Sequence, residues 1–304
     1  MTVYSIACLA GDGIGPEVMA QASRGMSAAA RLHGFALDEE HVPFGADATM
    51  RVGHPFPLAS RNTALAADAI LAATIDQTLL QALEGELDLR AAVVRVRLRA
   101  STITFVAPLR TDAWDWTLER AAATASSSRG HLTFVGSEDG WAAEAVAASR
   151  RDHGLEVTRL STRRAIRALV SSPDSFDVVV CAQPLLVPLA ELGWCLDSRR
   201  VLAWGRLAGN GPGIFGPNHG TAVDIAGQGV ADPSSMLLAA ALMLGEGLGE
   251  WGAAATLSSA VSYVRGNGAL RAVGTVSMSS ELTDAVLARL PQSHANAEFF
   301  TEAV

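Results

Sequence analysis

The chain has 304 residues, 49% of them apolar, with a formal net charge of −8 and a pI near 5.4. That length buries a large core, the acidic balance excludes a phosphate-driven nucleic-acid partner, and no apolar run reaches the roughly 18 residues of a membrane helix. All 23 basic residues are arginine, so every mechanism that needs a lysine base, Schiff base or ammonium clamp is excluded too.

In chain order, YSIACLA (4–10) reads as a buried strand. GDGIGPEVMAQASRGMSAAARLHG is a Gly-rich turn running into a helix with apolar residues at helical spacing. HPFPLASRNTALAADAILAATI predicts a helix and a strand, and RAAVVRVRLRASTITFVAPL two strands rich in β-branched residues. WTLERAAATASSSRG is helical, HLTFVG a strand, and GWAAEAVAASRRDHG a helix closed by Gly154. LEVTRLS and TRRAIRALVSSPDSFDVVVCA supply strand, helix and strand. Residues 205–233 read as a loop, followed by helices in SSMLLAAALMLGEGLG, WGAAATLSSAVSYVRGN and SSELTDAVLARL. The alternation predicts an α/β fold with a mixed, largely parallel sheet. Three cysteines without CxxC spacing (Cys8, Cys181, Cys195) argue against a disulfide framework and a zinc site. The N-terminal stretch lacks the basic flank and apolar run of a signal peptide, so a soluble, cytoplasmic protein is expected.

Two glycine-rich stretches, GDGIGPEV (11–18) and GPNHGTAVDIAGQGVADP (216–233), resemble in order and separation those of the isocitrate/isopropylmalate dehydrogenase family. LDLRAAVVRVRL (87–98), SFDVVVCAQPLLVPLAELG (175–193) and VGTVSMSSELTDAVLARL (273–290) are similar to further segments of that family, so the resemblance runs over essentially the whole chain. It implies an isopropylmalate dehydrogenase-like two-lobed fold, with residues 1–92 plus 205–304 as the nucleotide-binding-like lobe and 93–204 as the dimerisation and substrate lobe. Family members decarboxylate β-hydroxyacids with NAD(P) and a divalent metal, and they pair as homodimers. A homodimer is therefore expected, with LLVPLAELGW (185–194) and SSMLLAAALML (234–244) on or near its interface.

The working parts do not carry over. The two metal-binding aspartates of the family fall on Val187 and Glu191, and a third, from the partner subunit, on about Arg163. Its two carboxylate-binding arginines fall on Val94 and Ala107, and its catalytic lysine on about Ser137. The segment bearing its tyrosine is missing between Leu109 and Thr117, which also shortens the clasp between subunits. No metal site is expected, and metal-assisted oxidative decarboxylation is ruled out.

In the cofactor loop, His219, Gly220 and Asp224 match residues that contact adenine and ribose, whereas Asp232 replaces an asparagine that reads adenine. With Gly11, Asp12 and Gly13 these form the cofactor set, should binding survive. An acidic residue at the ribose favours NAD over NADP. No cofactor is the leading expectation and NAD the alternative, because Gly11, Gly13 and Gly15 also shape a strand-to-helix turn whatever binds there.

The replacements share a direction, from ionic to apolar. Val94, Ala107, Val187, Trp116, Trp141 and Trp194 are the expected lining of a pocket for a hydrophobic small molecule. The competing reading is a cleft filled with core-like residues. Glu191, Gln183 and Glu138, with Asp139 beside them, are the candidate polar groups, Glu191 as a general acid among apolar neighbours. Arg95, Arg97 and Arg99 alternate along a strand and read as a solvent-facing or ion-paired edge, with an anion clamp as the alternative. His131 and His153 read as surface histidines.

Three functions follow. The first is a repurposed, metal-free and redox-neutral enzyme, a cyclase or isomerase acting in specialised metabolism, since such reactions need shape and proximity more than strong catalytic groups. The second is a non-catalytic regulatory subunit. The third is an NAD-dependent, metal-independent oxidoreductase.

Overall fold

The computed structural model describes residues 1–75, 77–98, 101–136, 154–196, 201–266 and 278–301. The strands are β1 (Val3–Leu9), β2 (Ala36–His41), β3 (Ala69–Ala72), β4 (Leu89–Arg97), β5 (Thr102–Pro108), β6 (His131–Val135), β7 (Glu156–Leu160), β8 (Val178–Cys181), β9 (Val201–Ala208) and β10 (Gly213–Pro217). The helices are α1 (Gly15–Leu32), α2 (Ala46–Val52), α3 (Leu58–Ala66), α4 (Gln77–Glu84), α5 (Trp114–Ser126), α6 (Thr162–Ser171), α7 (Gln183–Cys195), α8 (Ser234–Leu242), α9 (Trp251–Gly266) and α10 (Ser279–Thr301). Among the described residues, none of these helices is long and apolar enough to cross a membrane.

The chain divides into two units, Met1–Asp88 with Asn210–Val304, and Leu89–Gly209. The division has a local cause. Strand β4 pairs antiparallel with β9 from Leu89↔Ala208 to Arg97↔Val201, so the two crossings of the chain end together.

In the first unit the strands run β2-β1-β3-β10, every pair parallel. Helix α1 has a proline in its first turn, Glu17 near its positive end and Arg31 near its negative end, each favourable to the helix dipole. Its buried residues Val18, Met19, Ala22, Gly25, Met26, Ala29 and Ala30 recur at helical spacing and form one face. Gly25 is there because α8 comes close: a Cβ would lie 2.5 Å from Leu237 Cδ2. Helix α8 is buried on every side, Met236 to Leu244 showing no exposure at all. The stretch 234–244 expected at a subunit interface is thus a core element, and its apolar side chains are consumed inside its own unit.

In the second unit the order is β9-β4-β5-β8-β6-β7, with β4 antiparallel to both neighbours and the remaining pairs parallel. The region read as a loop from 205 onward contains the end of β9 and all of β10. Its glycines look like turn residues, yet pairing with β4 and with β3 overrides that local preference. The arginine stripe is also corrected, because β4 lies between β5 and β9 and is no edge. Arg95 is 9% exposed, with its Nε donating to Thr104 Oγ1 at 3.3 Å. The Arg97 guanidinium donates to Thr102 Oγ1 at 2.5 Å, and burial, helped by Arg129, pulls its pKa down. Arg99, and residues 140–153 of the helix expected over 140–154, with His153, lie outside the described residues.

Asp177, just before β8, ties the far end of this unit together. Its buried carboxylate accepts from Ser128 Oγ at 2.5 Å, Arg129 N at 3.0 Å and His131 N at 3.3 Å, and it pairs with Arg129. His131 bridges Ser175 O and Thr158 Oγ1 at 2.9 and 3.0 Å, a structural role rather than that of a loose surface histidine.

Candidate functional site

The turn after β1 is shaped by backbone approach. Gly11 and Gly13 have φ of +67° and +62°, where only glycine is free of strain. A Cβ on Gly11 would lie 2.2 Å from Thr74 Oγ1, and one on Gly13 1.9 Å from the carbonyl oxygen of Thr221. Thr74 Oγ1 accepts from the amide of Asp12 at 2.8 Å, and Ile14 N donates to Thr221 O at 2.8 Å. The Glu17 carboxylate then accepts from Gly229 N at 3.2 Å and Ala231 N at 2.9 Å. The two glycine-rich stretches therefore hold each other. Asp12 is also engaged, its Oδ1 accepting from Ala46 N at 2.6 Å.

Along the loop, His219 Nδ1 lies 3.1 Å from Gly220 O, and its buried Nε2 has no hydrogen-bond partner. Gly220 is exposed, and so is Asp224, whose backbone carbonyl accepts from Gln228 Nε2 at 2.9 Å. Asp232 accepts from Ser234 N at 2.9 Å at the head of α8 and pairs with Arg265 on α9. Both of its oxygens are thus in use. An exposed Asp224 suits a ribose hydroxyl and the orphaned His219 nitrogen suits a polar ligand atom. Asp232 offers an adenine edge no amide donor, and its two oxygens are already engaged by Ser234 and Arg265. The set fits a dinucleotide only in part.

Burial lowers the His219 pKa from its usual 6.5, with the Gly220 carbonyl and Asp232 offsetting this in part. Below pH 6.5 the unfolded chain binds a proton that the folded loop resists, so stability falls as pH drops from 6.5 toward the lower folded value. The thermal midpoint of the protein is expected to decline across that window, and less steeply in His219→Asn. Parallel pH profiles for the two proteins would refute this.

In the second unit, α7 presents two faces. Leu186, Leu189, Ala190 and Gly193 are buried, and a Cβ on Gly193 would already stand 3.4 Å from Phe105 Cζ. Val94 and Ala107, at 7% and 0% exposure, pack in the same cluster with Leu186, Leu189 and Phe105, and Trp194 and Trp204 lie against it. Val94, Ala107 and Trp194 are therefore packing residues of this unit's core, because α7 covers that face of β4 and β5. Trp116, half-buried on α5, lies with the guanidinium of Arg120 5.8 Å from its ring centroid. Trp141 and Glu138, with Ser137 and Asp139, lie outside the described residues.

The opposite face of α7 is open. Gln183, Pro184, Val187 and Pro188 are exposed, Val187 at 58%, and Glu191 is half-buried one turn further on. Arg163, on α6, is exposed. At the positions that the resemblance assigns to metal ligands, the chain has one carboxylate, one alkyl group and one cation. A hard divalent ion wants about six oxygens, so the residues do not fit it.

The profile of the isocitrate/isopropylmalate dehydrogenase family matches residues 5–113 and 153–286. The chain belongs to this family. Relatives within isocitrate/isopropylmalate dehydrogenase include the 3-isopropylmalate dehydrogenase of Prochlorococcus marinus strain NATL2A, 28% identical over 332 residues that span 88% of this chain and 92% of that protein. The Streptococcus thermophilus 3-isopropylmalate dehydrogenase of strain CNRZ 1066 is 29% identical over 345 residues, 94% of this chain and 99% of its own. Among solved structures, the apo β-decarboxylating dehydrogenase of Thermococcus kodakarensis superposes with a TM-score of 0.77 at 22% identity, over 95% of this chain and 96% of that one. The isocitrate dehydrogenase of Methylococcus capsulatus gives 0.68 at 20% identity, covering 94% and 99%. The isopropylmalate dehydrogenase-like α/β fold follows. Within that family, this member carries the two glycine-rich stretches and contains no lysine.

Sequence reasoning missed Thr74, Thr221 and Glu17 as the partners that close the turn. Glu17 had a signal, an acid in the first turn of a helix. Thr74 and Thr221 had none, since only the fold brings them to the glycines.

Proposed function

We propose that this family member is a metal-free, redox-neutral enzyme, a cyclase or isomerase of specialised metabolism acting on a hydrophobic small molecule. The observation that carries the reading is the open face of α7. Where the family resemblance puts metal ligands, Val187 stands exposed between Pro184 and Pro188, with Gln183 and Glu191 at the two ends. An apolar strip flanked by an amide and a carboxylate suits a substrate held by burial and oriented by a few polar groups. Glu191 would donate a proton to the bound molecule and recover it in a later step, which leaves the oxidation state unchanged. Val94, Ala107 and Trp194 act by backing this helix, not by touching the substrate.

Two results are expected. Purified protein supplied with 3-isopropylmalate or isocitrate, NAD and Mg²⁺ produces no NADH. A solvent-sensitive apolar dye binds, and Val187→Asp weakens that binding about tenfold, some 1.4 kcal/mol. NADH formation, or a dye affinity indifferent to Val187→Asp, would overturn the reading. A thermal shift with NAD would instead move the metal-independent oxidoreductase forward.

A second reading, a non-catalytic subunit, is favoured by Ile166 and Val170, at 43% and 57% exposure on α6, which packs against α7. Together with Val187 they suit a partner surface, and we expect a cytoplasmic homodimer in either case. Native mass spectrometry of the wild type and of Val170→Asp separates the two: dissociation without loss of dye binding supports the pairing surface alone.

A further inference from the structure

Among the described residues, outside the face of α7 and the glycine-rich loops, one group of side chains has the composition of a metal site. Strands β1 and β2 are parallel neighbours in the register Ile6↔Glu39 and Cys8↔His41. Residues two apart on a strand share a face, so Cys8, Glu39 and His41 converge on one side of the pair. One ligand atom from each, the Cys8 sulfur, a Glu39 oxygen and a His41 ring nitrogen, lie within 4.8 Å of one another. Ser27 on α1 donates to Glu39 Oε1 at 2.5 Å, which orients the carboxylate and leaves Oε2 3.9 Å from His41 Nε2.

We propose that Cys8, Glu39 and His41 form a three-ligand site for a borderline-soft divalent ion of the zinc class, with the fourth position open to solvent beside His41. One thiolate, one imidazole and one carboxylate make a zinc-type set, whereas magnesium and calcium prefer oxygens alone. Zinc bonds of about 2.0–2.3 Å put tetrahedral ligand atoms about 3.5 Å apart. Ligand atoms within 4.8 Å of one another need to close by little more than about 1 Å to reach that spacing. The sulfur forms the floor, with Cys8 fully buried, and the ion enters past the His41 side chain, which is 52% exposed. Burial, with the nearby Glu39 charge, holds the Cys8 thiol up at about 12. Binding forms the metal–sulfur bond as the thiol proton leaves to solvent. Because β1 runs directly into the Gly11–Gly15 turn, the ion would pin the strand that carries that turn.

The test is Co²⁺ titration of the full chain, read by the near-ultraviolet thiolate-to-cobalt charge-transfer band. The band is expected in the wild type and in Cys195→Ser, which removes the exposed thiol, and it should disappear in Cys8→Ser. His41→Gln alters a side chain at the rim, leaves the core intact, and should weaken binding about tenfold or more. The absence of a band in the wild type, its survival in Cys8→Ser, its loss in Cys195→Ser, or unchanged affinity in His41→Gln would each overturn the site.

Discussion

Gly13→Ala is expected to lower stability by about 2–4 kcal/mol and to release the 216–233 loop, the sum of strain at positive φ and a backbone clash. The size follows from what the new methyl meets. At Gly13 it would stand 1.9 Å from Thr221 O, a carbonyl already fixed by the amide of Ile14. A backbone atom cannot swing aside as a side-chain end can. Gly34→Ala is the control, since its φ of +79° carries the same conformational cost with nothing within 4 Å. That variant should lose only about 1–2 kcal/mol. Hydrogen exchange at Ile14 and denaturant midpoints measure both effects. Equal losses in the two variants would mean that the contact between the glycine-rich stretches contributes nothing.

Asp177→Ala should destabilise the second unit by about 3–5 kcal/mol, because it strands buried donors and breaks an ion pair at once. The carboxylate side chain is 3% exposed and serves Ser128, Arg129 and His131 together. Arg129→Ala should cost much less. Its side chain is 46% exposed, and water replaces it for the outer part of Asp177's field. Asp177→Asn should fall between the two, keeping the shape while turning one acceptor into a donor. Urea unfolding of the three variants orders them, and an Asp177→Ala midpoint no lower than that of Arg129→Ala would refute the account.

Much of the fold was legible because it is written in contiguous residues. Apolar spacing marks α1, β-branched runs mark β4 and β5, and the paired glycine-rich stretches carry the family resemblance that the comparisons support. The absence of lysine was equally plain, since a missing residue type needs no structure to be seen. The candidate site was legible only by residue type. Val94, Ala107 and Val187 look alike as apolar replacements, yet two are packed beneath α7 and the third stands exposed on its outer face.

The same limit explains the errors. β9 and β10 are strands because β4 and β3 lie beside them, against the preference of their glycines. Residues 234–244 suit an interface as well as a core, and the close approach of α1 at Gly25 decides for the core. Cys8 lies far along the chain from Glu39 and His41, and parallel register rather than sequence distance brings the three together. By itself the sequence pointed to the family and to the α/β alternation that most of the elements follow. Which side chains are buried, which acids are already paired, as Asp232 is with Arg265, and which groups meet across strands were decided by tertiary structure. Desolvation and hydrogen bonding act between neighbours in space, and local sequence carries no record of them.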